Sequence, residues 1–223
     1  FRLESPRTNY NPEQEFTSTI YYLTIAKAAH QDDLNIYHRS LAQYEAELRN
    51  LAAHGVTAPS LNQLAEMTRF DDAEFADLAR VLQIRRKLGF DAEPVFFVGM
   101  HNLNYEDTIG ADAAGLRKLQ ERGRQLIAAV KENLGHENIV FYGLDEARTE
   151  ALLKSQVPFW RALQAIGARI WVSGYKPVDV PPGNFAHVGK ELDILVCANA
   201  PEREEAAKWH RENHRIFNYA NPQ

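Results

Sequence analysis

The chain has 223 residues, 25 of them Lys or Arg and 30 Asp or Glu, for a formal net charge of −5. With 45% hydrophobic and 25% charged residues it has ample apolar surface for a packed core, which excludes disorder as its main state. The acidic balance disfavours nucleic acid as a partner, no apolar run reaches the ~18–20 residues of a membrane helix, and the one cysteine, Cys197, excludes an internal disulfide and a four-cysteine zinc site.

Along the chain, short apolar runs alternate with charged segments of helical period. Two weaker strand candidates come first, Thr19 to Leu23 and Val56 to Pro59. Five clearer ones follow: Val95 to Val98, Ile139 to Tyr142, Arg169 to Val172, Ile194 to Cys197 and Ile216 to Tyr219. These are nearly continuously apolar, as strands covered on both faces must be. Between them lie helices marked by apolar residues at three- and four-residue spacing. One runs from Leu41 to Leu51 and ends at Gly55, the next from Phe75 to Ile84 and ends at Gly89, and a long one from Leu116 to Val130 ends at Gly135. The helix from Leu152 to Ile166 ends at Gly167 and contains Pro158, which removes a backbone donor and should kink or split it. The segment from Tyr175 to Gly189 reads as a loop with one helical turn, and a short helix spans about Glu202 to Glu212.

Such alternation implies parallel strands joined by helical crossovers. The strands centre near Tyr22, Ala58, Phe97, Phe141, Val172, Leu195 and Phe217. Both a doubly wound open sheet and a (β/α)8 TIM-type barrel fit this pattern. The barrel is preferred, because no Gly-rich phosphate loop follows any strand. Residues 1–18 read as an N-terminal extension or linker and 19–223 as the barrel domain. Extending the strand spacing of roughly 32 residues places an eighth strand beyond Gln223, so the barrel is expected to be truncated at its C-terminus. A start at Phe1 with no signal-peptide pattern is simplest as a processed N-terminus, which gives the expectation of a secreted or periplasmic protein.

Barrel active sites lie at the C-terminal ends of the strands. That rule selects His101 and Asn102 after the third strand, Tyr142, Asp145 and Glu146 at the fourth, Tyr175 after the fifth, Asn199 after the sixth and Tyr219 at the seventh. Amides, hydroxyls and aromatic rings of this kind bind sugar hydroxyls and stack on pyranose faces. No cofactor and no metal is expected. His210-Arg211-Glu212-Asn213-His214 misplaces the glutamate of a zinc-protease motif by one position and reads as a solvated helix face. Cys197 reads as a packed core thiol, Trp171 and Phe97 as barrel filling, and Trp209 as a cover for the barrel exterior or an interface residue.

Asp145-Glu146 is the sharpest feature. One alternative is structural, with Asp145 capping the next helix and Glu146 in its first turn. Adjacent carboxylates cannot flank a glycosidic bond from opposite faces, but they suit a substrate-assisted reaction in which the sugar's 2-acetamido oxygen attacks. The barrel layout and the Leu144-Asp145-Glu146 ending resemble the glycoside hydrolases of families 20 and 123, β-N-acetylhexosaminidases with (β/α)8 catalytic domains. The resemblance implies that Asp145 orients the acetamido group and that Glu146 is the general acid. On that reading Glu146 should sit in a partly desolvated cleft and Asp145 should be the more hydrogen-bonded of the pair. No glutamate follows the seventh strand in Asn218-Tyr219-Ala220-Asn221, which disfavours a retaining enzyme with its nucleophile there. The expected function is hydrolysis of N-acetylhexosamine-containing glycans, with a non-catalytic carbohydrate-binding or scaffold barrel as the alternative.

Overall fold

The structure, a computed structural model, describes residues 19–20, 25–27, 38–63, 72–98, 111–176, 179–198, 202–212 and 214–219. Its strands are β1 Thr19–Ile20, β2 Ile25–Lys27, β3 His38–Ser40, β4 Ala58–Pro59, β5 Val95–Phe97, β6 Ile139–Tyr142, β7 Arg169–Tyr175, β8 Ile194–Ala198 and β9 Arg215–Tyr219. The helices are α1 Leu41–Ala53, α2 Asp72–Lys87, α3 Ala113–Leu134, α4 Glu150–Ser155, α5 Val157–Gln164, α6 Asn184–Val188 and α7 Arg203–Arg211.

Local chemistry sets the helix limits. Ser40 opens α1 with a capping box, its Oγ accepting from Gln43 N and its own N–H donating to Gln43 Oε1. Asp112 caps α3 by accepting from Gly115 N at 2.7 Å, and Gly135, at φ 93°, ends it in the left-handed conformation that a side chain would strain. The helix containing Pro158 is split. Gln156 ends α4 and starts α5, with the proline in the first turn of α5, where no N–H is needed.

All strand pairs are parallel. Strands β5 to β9 form one sheet in chain order, and β1 pairs with β4. A bridge between Leu61 and Phe97 joins the two sheets, with Leu61 N donating to Phe96 O and Val98 N to Leu61 O. The resulting order, β1-β4-β5-β6-β7-β8-β9, is that of the seven predicted strands. One further pair, β2 with β3, was not anticipated. The buried Gln63 amide holds it by bonding both the N–H and the C=O of Ala26 at 2.9 Å, as a neighbouring strand would.

The alternation of side chains divides the interior into two layers. Val95, Phe97, Ile139, Phe141, Ile170, Val172, Leu195 and Cys197 point outward into a large core shared with the helices. Phe96, Val98, Val140, Tyr142, Trp171 and Ile194 point the other way, and among the described residues no helix contributes to their cluster. Helices on one face and strand side chains alone on the other distinguish a TIM-type barrel from a doubly wound sheet, whose two faces both carry helices. Trp171 fills the lumen as expected. Phe97 does not; it packs outward, edge-on to Phe141 at 5.7 Å between ring centroids. Trp209 is buried on the exterior, edge-on to Phe185.

Candidate functional site

The lumen layer ends, at the C-terminal side of the strands, in an aromatic floor. Tyr142 and Trp171 face each other across β6 and β7 with centroids 4.5 Å apart and tilted by 55°. Phe96 meets Trp171 edge-on at 5.3 Å. Tyr142 is 2% exposed, and its hydroxyl donates to Asp145 Oδ1 at 2.7 Å. A phenol buried to this degree needs a partner for its hydroxyl, and here that partner is the candidate carboxylate. The bond fixes Asp145 above the floor and leaves its second oxygen as an acceptor.

The turn carrying Asp145 is stitched to β7. Gly143 N donates to Trp171 O at 2.8 Å and Glu146 N to Ser173 O at 3.1 Å. Glu146 has φ 50°, the left-handed region, uncommon for a residue with a side chain. Beneath the turn, Gln156 accepts from Leu144 N at 2.7 Å and donates to the hydroxyl of Tyr175 at 2.9 Å, which in turn donates to Leu144 O at 2.9 Å. Thr149, not Asp145, caps α4, so the capping alternative for Asp145 does not hold.

Glu146 is corrected. Its side chain is 53% exposed and pairs with Arg148 at 2.6 Å, rather than entering a desolvated cleft. Asp145 is, as expected, the more firmly held of the two, although its side chain is also exposed to solvent. The Arg148 contact occupies Glu146 Oε2, so a proton-donor role would require that contact to break.

Tyr175 is corrected as well. Strict alternation along β7 would send Trp171, Ser173 and Tyr175 to the lumen. A bulge at Gly174, φ 79°, shifts the register so that Ser173 pairs with Val196 but Tyr175 pairs with the outward-facing Cys197. Tyr175 is therefore fully buried in the outer core, where desolvation pushes its phenol above the usual tyrosine range. It braces the turn and is not a binding group. Tyr175→Phe should cost about 1–3 kcal/mol by leaving Leu144 O unpaired, measured as the shift in the urea midpoint.

His101, Asn102 and Asn199 lie outside the described residues. The backbone of Tyr219 pairs with Ala198, next to Val196 in the lumen-facing alternation of β8. Cys197 is buried in the outer core; burial, and then the Glu205 carboxylate, push its thiol up to about 12, which fits the core reading. Two contributors were not anticipated. Arg148 was not assigned a role, and Gln156 was read only as a helical position. Its polarity beside Pro158, in the middle of an apolar helix face, was the available signal. Among the described residues no group of three or more His, Cys, Asp or Glu could hold a metal ion, and no helix is long and apolar enough to cross a membrane.

No family model and no curated protein matches the chain. Solved structures do. A Salmonella enterica serovar Typhimurium protein provisionally classed as a dehydratase aligns at TM-score 0.52 and 7% identity over 90% of this chain and 50% of its own. GH5_18 from Streptomyces cattleya, in complex with GlcNAc, aligns at TM-score 0.52 and 15% identity over 82% of this chain and 52% of its own. An old yellow enzyme homologue from Zymomonas mobilis aligns at TM-score 0.49 and 11% identity, over 87% and 73%. The chain thus spans about half the length of the first two. The first two share a TIM-type α/β fold with this chain, and the fold is all that they establish for it.

Proposed function

We propose that this barrel binds N-acetylhexosamine-containing glycans at the C-terminal ends of its strands and acts on them as a glycoside hydrolase of the substrate-assisted kind. The observation that carries the reading is the Asp145 carboxylate, held by Tyr142 over the Tyr142–Trp171–Phe96 floor with one oxygen left to accept an acetamido N–H. The rings are buried and serve to hold the carboxylate in place, and a fixed carboxylate is the group a 2-acetamido sugar needs for orientation. Because a shared barrel fold hosts many chemistries, the Streptomyces structure holding GlcNAc adds a precedent and not an assignment. In this reading Glu146 supplies the proton once bound glycan displaces Arg148 and excludes water.

A second reading is favoured by the Glu146–Arg148 ion pair and the exposure of Glu146: a barrel that binds the glycan without cleaving it. Chitooligosaccharides and nitrophenyl N-acetylhexosaminides, assayed for both binding and hydrolysis, separate the two. Under the hydrolase reading, Glu146→Gln lowers turnover of an oligosaccharide by roughly 100-fold or more. It costs much less on a nitrophenyl glycoside, whose leaving group needs little protonation. Equal oligosaccharide hydrolysis by wild type and Glu146→Gln removes the acid role, whereas saturable binding with no hydrolysis selects the binding barrel.

A further inference from the structure

At the opposite end of the strands, a cavity of about 490 Å³ opens between the starts of β7, β8 and β9 and the end of α7. Arg169 begins β7 and Arg215 begins β9. Arg169 pairs in register with Val140, and Arg215 with Ile194, both members of the lumen layer. The two arginines therefore share the lumen face, two strands and one pleat repeat apart. With strands roughly 4.8 Å apart and about 6.6 Å per two residues, their long side chains can reach a common point.

Two carboxylates, Asp193 and Glu212, line the same space, but neither is paired directly with an arginine. Arg169 donates to the neutral Asn138 Oδ1 at 2.6 Å, and neither guanidinium has a carboxylate within ion-pair distance among the described residues. The Asp193 Oδ2 accepts from Ile170 N at 2.8 Å and from the Gln164 side chain at 3.3 Å. His210 and His214 line the same space, and His214 Nδ1 is buried with no hydrogen-bond partner. The exposed Glu212 on the rim can accept from a ligand hydroxyl.

We infer that this cavity binds a phosphorylated small molecule that also carries hydroxyl groups, with its phosphate between Arg169 and Arg215. Planar guanidinium forks match phosphate oxygens in pairs. The cavity is far larger than a phosphate ion alone and lies within the usual range for small-molecule sites. The site is independent of the strand-end glycan reading.

The test is isothermal titration of the full chain at fixed ionic strength with glucose 6-phosphate, inorganic phosphate and glucose. Glucose 6-phosphate is expected to bind saturably at one site, phosphate more weakly and glucose not measurably. Arg215→Ala and Arg169→Gln should each weaken glucose 6-phosphate by roughly 10- to 100-fold, as loss of a charged hydrogen bond does. Asp145→Asn, at the other end of the barrel, should leave it unchanged. Arg215→Gln serves in place of Arg215→Ala if circular dichroism shows the alanine variant unfolded. Glucose binding as tightly as glucose 6-phosphate, no saturable binding of either phosphate probe, or wild-type affinity in a folded Arg215 variant would each overturn the assignment.

Discussion

Gly143→Ala should lower the melting temperature by roughly 6–12 °C. A methyl group built at Gly143 would lie 2.5 Å from Val172 Cγ1, 2.9 Å from Gln156 Oε1 and 2.9 Å from Trp160 Cζ2. Val172 and Trp160 are buried in the outer core and cannot retreat without displacing their own neighbours. Overpacking of this kind costs about 1–3 kcal/mol. Moving Gln156 adds the loss of its bond to Leu144 N, for a total of about 3 kcal/mol. For a chain of this size each kcal/mol corresponds to roughly 2–4 °C. Scanning calorimetry checks the value, and a shift below about 2 °C would mean that this turn repacks more easily than its close contacts imply.

Asp145→Asn should weaken binding of acetamido sugars by roughly 10- to 100-fold, the usual effect of losing one charged hydrogen bond. The substitution is close to isosteric, and an asparagine carbonyl can still accept from the Tyr142 hydroxyl, so the turn should keep its shape. What changes is the group offered to the acetamido N–H: a neutral amide replaces a carboxylate. Hydrolysis, where present, should fall on activated and unactivated substrates alike, because orientation is needed whatever the leaving group. Titration with GlcNAc oligomers and with glucose oligomers of equal length makes the comparison. A variant that loses affinity equally for both would show that Asp145 acts on the site as a whole rather than on the acetamido group.

The strands and helix ends were legible because each rests on a local signal. Apolar runs such as Ile139 to Tyr142 carry the lumen and outer layers in alternate residues. Gly135 and Gly167 mark helix ends through positive φ, and Pro158 splits its helix for want of an N–H. Other features depend on contacts between distant segments. The β2–β3 pair is held by Gln63, 37 residues from Ala26, and nothing local announces it. The outward Tyr175 follows from one bulge that breaks the two-residue period. The exposure of Glu146 follows from a left-handed residue in the turn and a nearby Arg148, neither of which alters the Asp-Glu pattern itself. The arginines at the other end of the barrel are 46 positions apart in the chain and become neighbours only through strand register.

The bulge at Gly174 also decides the electrical character of the barrel's rim. An uninterrupted ladder would set Tyr175 level with Ala198 and Tyr219. With one residue looped out, Tyr175 drops back to the level of Cys197, and the position beside Ala198 and Tyr219 falls to the next residue, Lys176. A phenol, neutral at physiological pH, is thereby exchanged for an ammonium at the height of the C-terminal strand ends. Two chains differing only in whether this glycine is looped out would present any visiting ligand with opposite demands: one an aromatic edge to stack on, the other a cation to satisfy.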